Sequence, residues 1–175
     1  TRTYEIIEDV KNFRSEIGVL FLNGYNRDVL TKMFDDNRLT YTSLFKARPH
    51  IFVSKSNPLA KHEVVSLEDL EDFPYLSYDQ GIHNSFYYSE EILSQIPHKK
   101  SIVVSDRATL FNLLIGLDGY TIATGILNSN FNGDNIVSIP LDIDDEIDIV
   151  YLKHEKATLS KMGEKFLDNL VKEVT

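Results

Sequence analysis

Five histidines are spread through this chain, at His50, His62, His83, His98 and His154, and none stands at a metal-binding spacing such as H-E-x-x-H. The serines are numerous, but none sits in G-x-S-x-G, the turn that exposes a nucleophile. Neither G-x-x-x-x-G-K-[ST] nor G-x-G-x-x-G occurs, so no glycine-rich loop is set up to cradle nucleotide phosphates. Cysteine is absent, which excludes disulfides, thiol catalysis and zinc–cysteine sites and fits a reducing cytoplasm. Paired carboxylates occur only in runs that read as solvated, Glu90-Glu91 and Asp142 to Asp148 among them. The second run lacks the spacing of a calcium loop and reads as a turn between two strands. No nucleophile, general base, cofactor or metal site is nominated, and the expectation is a protein that is not an enzyme.

The polar residues that do invite chemistry sit where apolar runs give way to helical patterns. In open α/β folds such junctions bind ligands, and the free N–H groups of a helix start favour anions. The first junction is Asn23-Gly24-Tyr25-Asn26, after the run Ile17 to Leu22. Asn23 is a candidate donor, Gly24 allows close backbone approach, and plain helix capping is the competing role. The second is Tyr78 to Ser85, rich in donors and acceptors, with Gln80, Gly81, His83, Asn84 and Ser85 as candidate ligand contacts. The third is Thr124-Gly125, a hydroxyl at a strand end beside a glycine, with an ordinary turn as the alternative. At Ser105-Asp106 simple N-capping is expected.

These junctions need a scaffold, and the apolar spacing supplies one. Helical stripes appear at Ile6, Ile7, Val10 and Phe13, at Val29 to Phe34, over Phe86 to Ile96 and over Asp106 to Leu117. A last stripe joins Leu159, Met162, Phe166, Leu170 and Val174. Strands are expected at 17–22, 39–45, 50–53, 75–78, 102–104, 120–123, 136–141 and 147–152. This alternation predicts βαβ units and a mostly parallel sheet. Breaks at Val53 to Pro58 and Pro140 to Glu146 divide the chain into 1–53 plus 143–175 and an inserted 54–142, two lobes around a hinged cleft suited to a small ligand.

Charge and hydropathy narrow the partners. A net charge of −9 over 175 residues argues against this piece gripping nucleic acid. No apolar run approaches the roughly 20 residues of a membrane span, and no signal-peptide pattern opens the chain. Because it opens Thr1-Arg2-Thr3 without methionine, the chain reads as part of a longer protein.

Ordered motifs then add a family resemblance. Ile17-Gly18-Val19 is similar to a D-(I/L)-(G/A)-I strand, with Glu16 where aspartate is usual. Ser54 to Ala60 is similar to s-x-x-H-P-L-A, with Asn57 in place of the histidine, and Leu67-Glu68-Asp69-Leu70 to the L-x-D-L that follows. Leu113 to Ala123 resembles a helix–glycine–strand motif in which Gly125 falls near a common proline, and Ile136 to Leu141 resembles l-v-x-(I/L)-P-L. In order and spacing these motifs resemble the effector-binding domains of LysR-type transcriptional regulators.

The resemblance implies a two-lobed fold like that of periplasmic solute-binding proteins, with a small effector in the inter-lobe cleft. By the same resemblance the second and third junctions line that cleft. The chain would act in the cytoplasm as a homodimer or tetramer. It would reach DNA through an N-terminal helix-turn-helix absent from this chain, and without a membrane. The wording around Tyr78 to Phe86 resembles a Gram-positive subgroup tied to sulfur amino acid metabolism, so a sulfur amino acid or its precursor is the expected effector. The resemblance also implies a strand and helix before the first helix seen here, leaving the first lobe incomplete. Two other readings stay open. One is a solute-binding protein of a transporter. The other is an enzyme on the same fold, a deaminase or dehydratase, with His83 as its base.

Overall fold

The computed structural model describes residues 2–127 and 134–174. Its backbone divides into two units, Thr1–Ala47 with Glu146–Thr175, and Arg48–Asp145. In the first unit, helix α1 (Thr3–Lys11) leads into strand β1 (Gly18–Leu22), helix α2 (Arg27–Asp36) and strand β2 (Leu39–Ala47). The chain returns to this unit as strand β8 (Ile147–His154) and ends in helix α4 (Lys161–Val174). Between these lie the elements of the second unit: β3 (His50–Ser54), β4 (Tyr75–Tyr78), β5 (Ser101–Val104), helix α3 (Arg107–Gly116), β6 (Thr121–Ala123) and β7 (Ile136–Pro140).

The strands fall where the apolar spacing predicts, but the expected mostly parallel sheets do not form. In the first unit the order is β1-β8-β2, and β8 runs antiparallel to both neighbours. In the second unit β3 runs antiparallel to β6 and β7, while β4 and β5 are parallel. Single parallel bridges join Tyr75 to Tyr120 and Val65 to Leu141. The correction has a simple origin. β1 and β2 do point the same way, with α2 crossing over between them, as a βαβ reading requires. A strand from far along the sequence, β8, inserts between them in the opposite sense. β3 does the same between β6 and β7. β3 is the first strand after the chain enters the second unit and β8 the first after it returns to the first, and nothing local in their residues specifies direction.

Burial follows the pleat. Along β1, Gly18, Leu20 and Leu22 are buried and their alternates half-buried. Ile7 and Val10 of α1, and Leu30 and Phe34 of α2, face the core. In the second unit Phe52, Leu76, Val104, Leu110, Leu114 and Ile136 form one apolar cluster between the sheet and α3. Gly119 lies beneath it, where an added Cβ would sit 2.9 Å from Leu76 Cδ1 and 3.0 Å from the Pro74 carbonyl oxygen. That close approach explains the second glycine of the helix–glycine–strand motif. Asn57 is buried between two anchors: its Oδ1 accepts from Leu59 N at 2.9 Å, and its Nδ2 donates to the Asp118 carbonyl at 2.7 Å.

Three local expectations are corrected. The stretch Phe86 to Ile96 is not an α-helix; only the 3-10 turn Phe86–Tyr88 forms. Leu93 adopts φ 61°, which a continuous helix does not allow, and the Glu91 carboxylate accepts from the Tyr78 N–H. In α4 the inward residues are Gly163 and Leu167, while Met162 and Phe166 are exposed. Here Ser160 donates its N–H and its hydroxyl to the Glu16 carboxylate and accepts from Gly163 N, so the helix start is pinned with its glycine against Glu16 and Ile17. The side chain of Val174 lies outside the described residues. Finally, Asp148 is not part of a solvated run. It is buried, accepting from Arg27 Nη2 at 3.1 Å and Ser43 Oγ at 2.5 Å.

Candidate functional site

Two parallel strands, β4 and β5, pair Tyr75 with Ser101 and Ser77 with Val103. Residues two apart share a face of a sheet. The face carrying Leu76 and Val104 packs into the apolar cluster with α3. The alternate residues Tyr75, Ser77, Ser101 and Val103 line a cavity of about 410 Å³ in the second unit. The segment that follows β4 supplies the rest of its wall, including Asp79, Gln80, Gly81, Asn84, Phe86, Glu91 and His98.

Local chemistry shapes that segment. Asp79 Oδ1 accepts from Gly81 N at 2.9 Å, closing a tight turn in which Gly81 takes φ 63°, a conformation glycine adopts without steric cost. Glu91 then folds back to accept from Tyr78 N at 2.8 Å, at the end of β4. Gln80 Nε2 donates to Glu90 Oε1 at 3.3 Å. The His98 ring stacks on Tyr75, with centroids 3.8 Å apart and planes 12° apart, and its Nδ1 lies 2.9 Å from the Tyr120 hydroxyl.

The cavity wall holds several polar atoms that satisfy nothing. Tyr75 Oη, Gln80 Oε1, Glu91 Oε2 and His98 Nε2 are all buried without a hydrogen-bond partner. All four residues line the cavity; among the described residues the one other such side-chain atom is Ser138 Oγ. An unpaired buried polar group costs about 1–3 kcal/mol, so a cluster of four beside one cavity calls for an explanation. Burial also resets the charges. It raises the Glu91 carboxyl to about 8, so this acid carries its proton at neutral pH. Burial pushes His98 down, favouring its neutral ring, and lifts the Tyr75 hydroxyl well above its usual range. Glu91 and Asp79 are the acidic wall residues, and neither lysine nor arginine is among the lining residues.

Of the residues singled out in the sequence, this cavity brings together Gln80, Gly81 and Asn84. His83 and Ser85 belong to the same loop but not to the wall; the His83 ring stands edge-on to Tyr88 with centroids 6.4 Å apart. Thr124 and Gly125 lie in the same unit outside this cavity. Thr124 Oγ1 accepts from Ile126 N at 3.5 Å, and Gly125 takes φ 80° with the His50 ring 2.5 Å from where a Cβ would be. Asn23 and Gly24 lie in the first unit. There Asn23 Oδ1 accepts from the N–H groups of Tyr25 and Asn26, each at 3.1 Å, while Asn26 Oδ1 accepts from Asn23 N at 2.9 Å. Sequence reasoning missed Tyr75, Glu91 and His98. The available signal for Glu91 was a carboxylate directly before Ile92-Leu93; for the other two there was none, because their juxtaposition is tertiary.

No helix is long and apolar enough to cross a membrane, and no group of three or more His, Cys, Asp or Glu side chains among the described residues is placed to hold a metal ion. The second α/β unit thus carries a polar cavity large enough for a small molecule. Comparison with known proteins makes the class explicit. Residues 1–175 match the LysR substrate binding domain, and the chain belongs to that family. Solved structures share the fold at low identity. HinK, a LysR family transcriptional regulator from Pseudomonas aeruginosa, superposes with a TM-score of 0.66 at 15% identity over 99% of this chain and 58% of its own. The effector binding domain of QuiR in complex with shikimate gives 0.65 at 17%, over 98% of this chain and 78% of that one. The BenM effector binding domain with its effector benzoate gives 0.63 at 18%, over 99% and 75%. The chain thus spans under three fifths of HinK's length. None of the curated proteins matches this sequence.

Proposed function

We propose that this chain is the effector-sensing part of a LysR-type transcriptional regulator, and that it holds a small metabolite in the cavity beside β4 and β5. The observation that carries the reading is the cluster of four partnerless buried polar atoms in a cavity already walled by Gln80, Gly81 and Asn84. Family membership supports regulation rather than catalysis. The remaining loop residues His83 and Ser85, and the junctions Asn23-Gly24 and Thr124-Gly125, are proposed as further effector contacts. That the two units act as hinged lobes, with the effector favouring one arrangement, belongs to the same proposal; without differential affinity a ligand shifts nothing. So do action in the cytoplasm, assembly as a dimer or tetramer, and DNA contact through a helix-turn-helix outside these residues.

For the effector itself the proposal is a sulfur amino acid or its precursor. QuiR and BenM, by their descriptions, bind shikimate and benzoate, so the fold accommodates small organic molecules of different kinds. Isothermal calorimetry with cysteine, homocysteine, methionine, O-acetylserine and sulfate tests the reading. A one-site signal that Asn84→Ala or Gln80→Ala weakens at least tenfold is expected. A signal that both variants leave unchanged would move the effector site away from this cavity.

A further inference from the structure

The wall of the cavity beside β4 and β5 has a lopsided chemistry. Four of its buried atoms lack partners, Gln80 Oε1, Glu91 Oε2, Tyr75 Oη and His98 Nε2, and its charged groups are acidic only. Gln80 Oε1 accepts only, Glu91 Oε2 accepts once the acid ionises, and Tyr75 Oη accepts as well as donates. Gln80, Glu91 and Tyr75 are each more than nine-tenths buried, at 6%, 4% and 3% exposure, so water does not readily stand in for the missing partners. The acidic groups of the wall are Asp79 and Glu91, and Glu90 lies just behind, bonded to the Gln80 amide. Among the described residues no lysine or arginine lines the cavity. The rings of Tyr75, Tyr78 and Phe86 also line it, beside Asn84, His98 and the hydroxyls of Ser77, Ser89, Ser94 and Ser101, and aromatic faces attract cations.

An anion placed here would meet two carboxyl groups and no fixed cation. An ammonium would bring three donors to Gln80 Oε1, Glu91 Oε2 and Tyr75 Oη, and a positive charge to an acid whose ionisation is held back by burial and by the neighbouring Glu90 carboxylate. We propose that the cavity beside β4 and β5 is an ammonium subsite, in which Gln80, Glu91 and Tyr75 receive the primary amine of the effector and from which free carboxylates are excluded. This rests on the reading of the cavity as the effector site. It assigns the amine end of an amino-acid-like effector to this place and requires that any carboxylate be held by other residues.

The test uses matched fragments on the 175-residue chain: 2-(methylthio)ethylamine against 3-(methylthio)propanoate, and butylamine against pentanoate, at millimolar concentrations. Carbon-detected NMR of the Glu91 carboxyl and the His98 ring reads occupancy at the cavity. Both amines are expected to shift these signals saturably, with each acid at least tenfold weaker. Glu91→Gln, which keeps the shape of the side chain, and Gln80→Met are expected each to weaken the amines at least tenfold, and thermal melts check that the variants fold. Acids that bind the cavity as well as the amines would overturn the ammonium assignment while leaving the cavity as the effector site. Amine binding unchanged in both variants would overturn the assignment too. Silence from all four fragments would remove the subsite and the cavity reading together.

Discussion

Among the described residues each unit buries one carboxylate, and the two are treated in opposite ways. In the first unit Asp148 is 6% exposed and fully engaged, with Arg27 on one oxygen and Ser43 on the other. In the second unit Glu91 is 4% exposed, with the Tyr78 N–H on one oxygen and nothing on the other. The helix junctions differ in the same way. Asn23 and Asn26 close on each other and on the backbone, while the loop after β4 leaves Gln80 Oε1 buried without a partner beside a cavity. The first unit spends its polar groups on itself. The second retains unsatisfied ones, which lowers stability unless something outside the chain satisfies them.

The largest expected effect lies in the pH dependence of stability. Glu91 has an ordinary value of 4.5 and is raised to about 8 in the fold. Between those values the unfolded chain has released this proton and the folded chain retains it, so stability falls as pH rises. From pH 4.5 to 7 this one group removes about 3 kcal/mol, and the loss is complete only above pH 8. His98 acts in the opposite sense. Its lowered value means that stability is lost as pH falls below about 6.5, where the unfolded imidazole charges first. Denaturant titrations at pH 4.5, 7 and 8.5, compared between the chain and Glu91→Gln, isolate the carboxyl. The variant is expected to lose the downward slope and to be the more stable of the two at pH 7. A difference that stays flat with pH would mean that Glu91 has found a partner, and the contrast with Asp148 would vanish.

Asp148→Asn probes the other side of the comparison. It weakens the ion pair to Arg27 and the bond from Ser43, and a loss of about 2 kcal/mol is expected with no change in fragment or effector binding. The Arg27 side chain is partly solvated, which keeps the effect below that of a fully buried pair. Binding lost together with stability would show that the first unit's polar cluster is not structural alone.

The smallest effects compare the junctions. Asn26→Ala removes the bond received from Asn23 N and the one given to the Phe21 carbonyl, and should cost about 1 kcal/mol in stability, with a smaller loss of binding than Asn84→Ala because it acts on the effector only through Asn23. Asn84 is exposed on the wall of the cavity, and Asn84→Ala should stay within about 0.5 kcal/mol in stability while weakening the effector. Chemical denaturation and calorimetry on the two variants decide between them. The reverse pattern would exchange the roles assigned to the two loops.

Much of this architecture is written locally. The run Ile17 to Leu22, the β-branched strand at Ile51 to Val53, and the helix from Arg107 to Gly116 follow from apolar spacing and turn residues, which act over a few positions. Ser66 and Asp69, three residues apart, bond reciprocally, with Ser66 N donating to Asp69 Oδ2 at 2.8 Å and Asp69 N to Ser66 Oγ at 3.3 Å, ahead of a 3-10 turn. The loop Tyr78 to Ser85 was legible as a ligand candidate because donors and acceptors gather at a strand end, and Gln80, Gly81 and Asn84 do reach one cavity.

Where reading along the chain fell short, the deciding contact was remote in sequence. The apolar stripe of the last helix is turned by Glu16, which binds Ser160 from 144 residues away. Tyr75 and His98 stack although 23 residues separate them, and Glu91 comes to rest on the end of β4 because the segment before it fails to stay helical. By itself the sequence determined which segments are strands and helices, that no thiol or known catalytic motif is present, and which family's pattern the order of its motifs follows. Only the tertiary structure decided that β8 and β3 run against their neighbours and that four polar groups lie buried together without partners. Strand direction and the satisfaction of a buried group depend on what the rest of the chain brings alongside, and no local pattern encodes that.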